Sequence, residues 1–140
     1  MIINNIKASA IVLVLMVWVS TGCSDSTCKD PLALNLNVDD DCKYSKAAFY
    51  ATSSRYYDPN FNLYDVTKVE LLINGKSQGV ITKFGAPNNC SAPGVVNFQF
   101  VNGETVDWAA IVSLTNGSSV TYTGTADPSP SNPCITVRVD

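Results

Sequence analysis

From Lys46 onward, apolar and polar residues alternate with a period of two. Ala47, Phe49 and Ala51 form one set; Val69, Leu71 and Ile73 form a second, interleaved with Lys68, Glu70 and Leu72. Val96, Phe98 and Phe100 alternate with Asn97 and Gln99, and Val106, Trp108, Ala110, Val112 and Leu114 make the longest set. Val120 with Tyr122, and Ile135 with Val137 and Val139, follow. Alternate side chains of an extended strand point to opposite faces, so each set predicts a strand with one face buried. Asn74-Gly75, Asn102-Gly103 and Asn116-Gly117 each lie between strand-like runs. Asn-Gly favours hairpins because both residues tolerate positive φ. No segment after Cys23 shows a helical period, and about seven short strands at this spacing predict a single antiparallel β-sandwich.

Three connections interrupt the strands. Gly85 to Gly94 carries Pro87, Cys90 and Pro93, and Ala126 to Pro133 holds three prolines, which predicts a stiff, strand-free loop. Ser54 to Tyr64 reads as a long loop rich in aromatics. Its Arg55, Tyr56, Tyr57 and Tyr64 are the candidate ligand-binding residues, with Phe61 beside them. Arginine and tyrosine on a loop dominate recognition surfaces and stack on sugar rings or peptides. The structural alternative is that these rings cap an open end of the sandwich.

Before Lys46 the pattern is different. Ala8 to Val19 is an unbroken run of twelve apolar or small residues behind Lys7. A spanning helix needs roughly 20 apolar residues, so the run matches a signal-peptide core of about 7–15. The whole chain is neither disordered nor coiled-coil in composition, with 46% hydrophobic and 15% charged residues. A net charge of −3 and the lack of a Lys/Arg cluster argue against nucleic acid as a partner. The sequence has no histidine, which excludes His-based triads and His-ligated zinc.

Ser20-Thr21-Gly22-Cys23, at the end of the apolar run, resembles the lipobox of bacterial lipoproteins, with Ser20 where Leu is usual. The resemblance implies cleavage before Cys23, a diacylglycerol on its sulfur, and attachment to a membrane; an ordinary secretory signal or a short N-terminal anchor is the other reading. Ser24, rather than Asp, after the cysteine implies the outer membrane. Cysteine parity agrees, because five cysteines in an exported protein leave one to explain. With Cys23 acylated, Cys28, Cys42, Cys90 and Cys134 allow three pairings in an oxidising compartment. Cys28 with Cys42 and Cys90 with Cys134 is favoured, since the first two bracket one polar segment and the last two belong to the β-rich region. No Cys-x-x-Cys pair supports zinc instead.

Cys28 to Tyr44, CKDPLALNLNVDDDCKY, resembles a short element of Bacteroidota-type surface proteins at Cys28, Asp30, Pro31, Ala33, Asn35, Asp39, Asp40, Cys42 and Tyr44. It is also the one candidate cation site. Asn35, Asn37, Asp39 and Asp41 recur at every second position, as the first ligands of an EF-hand do, and Asp30 stands nearby. The full calcium template fails, with Asp40 where Gly is needed and Lys46 where Glu is needed, so calcium requires an irregular site. A solvated acidic loop held by one disulfide is the alternative. Val69 to Phe84, VELLINGKSQGVITKF, looks like the strand-turn-strand of PEGA-like, Ig-like or prealbumin-like modules. With Cys90, the Trp108 strand and Cys134 to Val137, residues 46–140 are similar to Bacteroidota-type lipoprotein domains that bring no catalytic residues with them.

The resulting partition is a signal peptide over 1–22, a lipidated tether and disulfide-bracketed acidic element over 23–45, and a β-sandwich over 46–140. It implies a non-catalytic binding or structural module of the cell envelope, anchored by lipid, with a glycan or an envelope protein as partner. Two alternatives stand beside it. One is an accessory subunit of a surface uptake or adhesion assembly. The other is a small hydrolase using Glu104 and Asp107, since a carboxylate pair is what glycoside hydrolysis needs.

Overall fold

The computed structural model describes residues 27–140. The apolar run, the lipobox-like residues and Cys23 lie outside the described residues. The body is all-β, with eight strands and no helix among the described residues. The strands are β1 (Lys46–Tyr50), β2 (Arg55–Tyr57), β3 (Leu63–Ile73), β4 (Lys76–Ile81), β5 (Val96–Gln99), β6 (Val106–Leu114), β7 (Ser119–Ala126) and β8 (Cys134–Arg138). They form two sheets, a three-stranded one in the order β5-β1-β8 and a five-stranded one in the order β2-β3-β6-β7, with β4 also on β3.

Alternation explains the core. Val69, Leu71 and Ile73 of β3 and Val106, Ala110, Val112 and Leu114 of β6 are buried, and they share one cluster with Ala47 and Phe49 from the other sheet and with Ala51 just beyond β1. The two sheets therefore enclose a common apolar interior. Ala47, Ala48 and Phe49 of β1 are all inaccessible, as expected for the central strand of its sheet. Phe49 meets Trp108 edge to face, with ring centroids 6.3 Å apart.

Four expectations are corrected. The ladder is not wholly antiparallel: β1 runs parallel to β8, from Lys46 opposite Cys134 to Tyr50 opposite Arg138. Parallel neighbours need a long crossover, and here the whole intervening chain supplies it. Second, there are eight strands, because the segment read as a long aromatic loop is a hairpin in which β2 pairs with the start of β3. Asp58 makes that turn: its carboxylate accepts from the backbone amides of Asn60 and Asn62, both at 2.8 Å, and from Asn62 Nδ2 at 2.9 Å.

Third, Asn102-Gly103 does not close a hairpin, since β5 and β6 lie in different sheets. The other two Asn-Gly pairs do so, joining β3 to β4 and β6 to β7. Asn74 (φ 48°) and Gly75 (φ 76°) both adopt the left-handed conformation that a tight two-residue turn requires. Fourth, several predicted strand ends fall outside the strands. Ala51 makes only an isolated bridge with Phe84, while Phe100 and Val139 are buried beyond the ends of β5 and β8.

Candidate functional site

The hairpin divides the predicted aromatic site. Tyr56 pairs with Tyr64 across β2 and β3, and both rings pack against the core. Tyr57, on the opposite face of β2, is 62% exposed, and Phe61 at the tip is 87% exposed. Arg55 sits opposite Asp65, with its Nε 3.8 Å from the carboxylate. At that distance in solvent the pair contributes little, so the guanidinium is held loosely. Tyr56 and Tyr64 are thus partly buried against the core, while Arg55 and Tyr57 stay accessible.

Tyr56 and Arg55 also line a cavity of about 180 Å³. Its floor is apolar, made by Ala51, Val66, Val69 and Val112; Tyr56 and Tyr122 form walls, and Ser53, Arg55, Arg138 and Asp140 stand at the rim. Sequence reasoning missed Tyr122, Arg138 and Asp140 as site residues. Tyr122 was legible only as an inward position of its strand. Arg138 and Asp140 carry no local signal, because only the parallel pairing of β8 with β1 brings them to Ala51, Thr52 and Ser53.

Asp140 fixes this rim. One of its oxygens accepts from the backbone amides of Thr52 (2.7 Å) and Ser53 (2.8 Å), and the other accepts from Arg138 Nε (3.0 Å). Thr52 Oγ1 adds a further contact at 3.0 Å. Partial burial alone would raise the carboxyl pKa, but the bonds from Ser53, Arg138 and Thr52 outweigh it and hold the group below the ordinary range. Burial, followed by the nearby Tyr56 and Asp140, raises the pKa of Tyr122.

The acidic element uses its polar side chains internally. Tyr44 donates to Asp30 Oδ2 at 2.6 Å, and the Leu32 amide donates to Asp30 Oδ1 at 2.9 Å. The bond from Tyr44, then that from Leu32, lowers the Asp30 pKa against the opposing effect of burial, and the Gly103 amide lowers it further. Gly103 is thus one place where the element rests on the body: a side chain there would begin 2.8 Å from Asp30 Oδ2.

Asn35 clamps the loop, accepting from the Lys43 amide at 2.7 Å and donating to Asp41 O at 2.8 Å. Asn37 makes a turn at φ 62°. Asp39 accepts from Thr27 Oγ1 at 3.4 Å, and Asp41 is exposed. Among the described residues, no three Asp, Glu, Cys or His side chains come together as a metal-binding group. Both favoured cysteine pairs are present: Cys28 and Cys42 sulfurs are 2.02 Å apart, and those of Cys90 and Cys134 are 2.14 Å apart.

Glu104 and Asp107 are both exposed, and they border separate hollows, Glu104 beside Phe98 and Phe100, Asp107 beside Trp108 and Thr123. The Asp107 backbone is held by Asn74, whose amide donates to Asp107 O at 2.8 Å and whose Oδ1 accepts from the Asp107 amide at 3.1 Å. Compared with protein-family models, with curated proteins and with solved structures, the chain matches none.

Proposed function

We propose that this chain is a lipid-anchored protein of the cell envelope whose two sheets are the faces of a β-sandwich serving as a non-catalytic binding module. The observation that carries the reading is the pairing of Cys28 with Cys42 and Cys90 with Cys134. The remaining one of the five cysteines is Cys23, which follows a signal-like apolar run after Ser20-Thr21-Gly22. Disulfides belong to exported proteins, and a lipobox-like sequence gives the remaining cysteine a chemical role. The common core of the two sheets supports the sandwich, and the exposed Tyr57 and Arg55 on a hairpin held by Asp58 suit recognition of a glycan or an envelope protein.

Intact mass of the protein extracted from the membrane fraction, with and without reduction, tests the reading. The expected result is loss of residues 1–22, an added acyl mass, and four thiols appearing only on reduction. Recovery from the cytosol with Met1 retained and free thiols would sink it. For the binding role, a glycan array is expected to lose its signal when Tyr57 is replaced by Ala.

A further inference from the structure

The cavity beneath Tyr56 has an excess of hydrogen-bond donors. Among the described residues, neither the Tyr56 nor the Tyr122 hydroxyl has a protein acceptor, and Arg138 uses only Nε, on Asp140. Arg55 makes only its 3.8 Å approach to Asp65. The rim's one carboxylate is already engaged: Asp140 receives bonds from Thr52, Ser53 and Arg138. Arg55 and Arg138 against Asp140 leave the rim with a positive excess, and every group without a partner can donate, the guanidinium nitrogens donating only and the tyrosine hydroxyls also able to accept. Such a mouth fits an oxyanion, because two guanidinium groups stand at it and its one carboxylate is already engaged. The floor of valines and Ala51 excludes a bare inorganic anion as the best occupant, since it would leave the apolar surface uncovered. The space, about 180 Å³, is close to that of a cavity that accepts a single benzene ring.

We infer that this cavity binds a carboxylate attached to one compact apolar group, with the anion between Arg55, Arg138 and Tyr122 and the apolar group on Val66, Val69 and Val112. The inference rests on the binding-module reading above and names its ligand class. Two sources supply this chemistry, a free short carboxylic acid and the C-terminal residue of a peptide. Asp140 is a positioning residue here: by taking Nε of Arg138 it fixes the guanidinium and leaves the terminal nitrogens for the ligand.

Calorimetric titration of the full chain with four probes tests this: N-acetyl-leucine, its amide, the peptide Gly-Gly-Leu, and inorganic phosphate. N-acetyl-leucine is expected to bind about tenfold or more tightly than its amide, the worth of one charge-assisted hydrogen bond, and phosphate is expected not to displace it. Gly-Gly-Leu binding equally well assigns the site to peptide C-termini; its failure beside N-acetyl-leucine assigns it to free acids. Arg55→Gln, at an exposed position, is expected to weaken the acid about tenfold with thermal unfolding unchanged. Equal affinity for acid and amide, displacement by phosphate, or unaltered binding by R55Q overturns the inference. If the acids fail while Tyr57-dependent glycan binding persists, only this inference falls; if the mass test fails, the envelope reading falls whatever the cavity binds.

Discussion

Trp108 and Gly124 face each other directly across β6 and β7, and the indole lies against the glycine. A Cβ on Gly124 would stand 2.6 Å from Trp108 Cζ2 and 2.8 Å from Cε2. The bare backbone lets the indole cross the outer strand and donate from Nε1 to Thr125 O at 3.2 Å, while its other edge meets Phe49. One glycine thereby joins the edge of the large sheet to the centre of the small one.

Gly124→Ala is therefore expected to displace the indole and to cost about 1–3 kcal/mol, the usual range for overpacking a filled site. Trp108→Phe removes the clashing ring edge, so the double variant should lose less than the two single losses added together. Chemical denaturation of the four proteins measures this. Additive losses would mean that the two positions do not share one packing constraint.

The Asp30 carboxylate links the acidic element to the body, and its lowered pKa makes that link dependent on pH. A carboxyl group whose pKa is depressed by folding stabilises the fold above its unfolded value of about 4, and this contribution is lost as pH falls through the lower folded value. Because Tyr44 is the largest cause of the depression, followed by the Leu32 amide, Tyr44→Phe should move the Asp30 titration upward and bring acid release of the element to higher pH. Titration of the Asp30 carboxyl by NMR in both proteins checks the direction. An unchanged midpoint would remove Tyr44 as the cause.

Asn35 separates a structural role from a calcium role by the sign of one substitution. Asn35→Asp keeps the acceptor for the Lys43 amide but replaces the donor to Asp41 O with an oxygen, beside three consecutive aspartates. As a loop clamp, the variant should be less stable by about 1–2 kcal/mol, with or without calcium. As a cation ligand, the added charge would make calcium stabilise the variant more than the parent protein. Thermal unfolding of both proteins with calcium and with chelator decides between them.

Much of the fold was legible because burial imposes period two. Val69, Leu71 and Ile73 announced β3, and Val106 through Leu114 announced β6. Asn74-Gly75 and Asn116-Gly117 marked real hairpins. The parallel β1–β8 pairing was not legible, since alternation shows which face is buried and says nothing of the neighbour's direction. Asp58-Pro59-Asn60 was an available turn signal for the β2–β3 hairpin, overshadowed by the aromatics around it. The candidate site is legible only in part: of Arg55, Tyr56, Tyr57 and Tyr64 only Arg55 and Tyr56 line the cavity, and Tyr122, Arg138 and Asp140 join those two through long-range pairing. Asn102-Gly103 carried the same letters as a hairpin, yet its glycine makes room for Asp30.

The two disulfides should differ in what they hold. On the chain-entropy model a bridge spanning 14 residues, as in Cys28–Cys42, stabilises by about 3 kcal/mol, and one spanning 44, as in Cys90–Cys134, by about 4. The shorter bridge closes an element tied to itself by the Cys28 amide on Val38 O (3.0 Å) and the Asn37 amide on Cys28 O (2.8 Å). The longer one joins the 85–94 connection to the first residue of β8, the strand that flanks β1, whose Ala47, Ala48 and Phe49 are inaccessible. Replacing Cys28 and Cys42 together by Ser should therefore speed hydrogen exchange at the amides of Asn37 and of position 28 while amides of β3 and β6 keep their protection. Replacing Cys90 and Cys134 by Ser should lower protection throughout β1, β3 and β6 together, because loss of β8 opens the common core. Uniform loss of protection in both double variants would show that the acidic element and the body unfold as one unit.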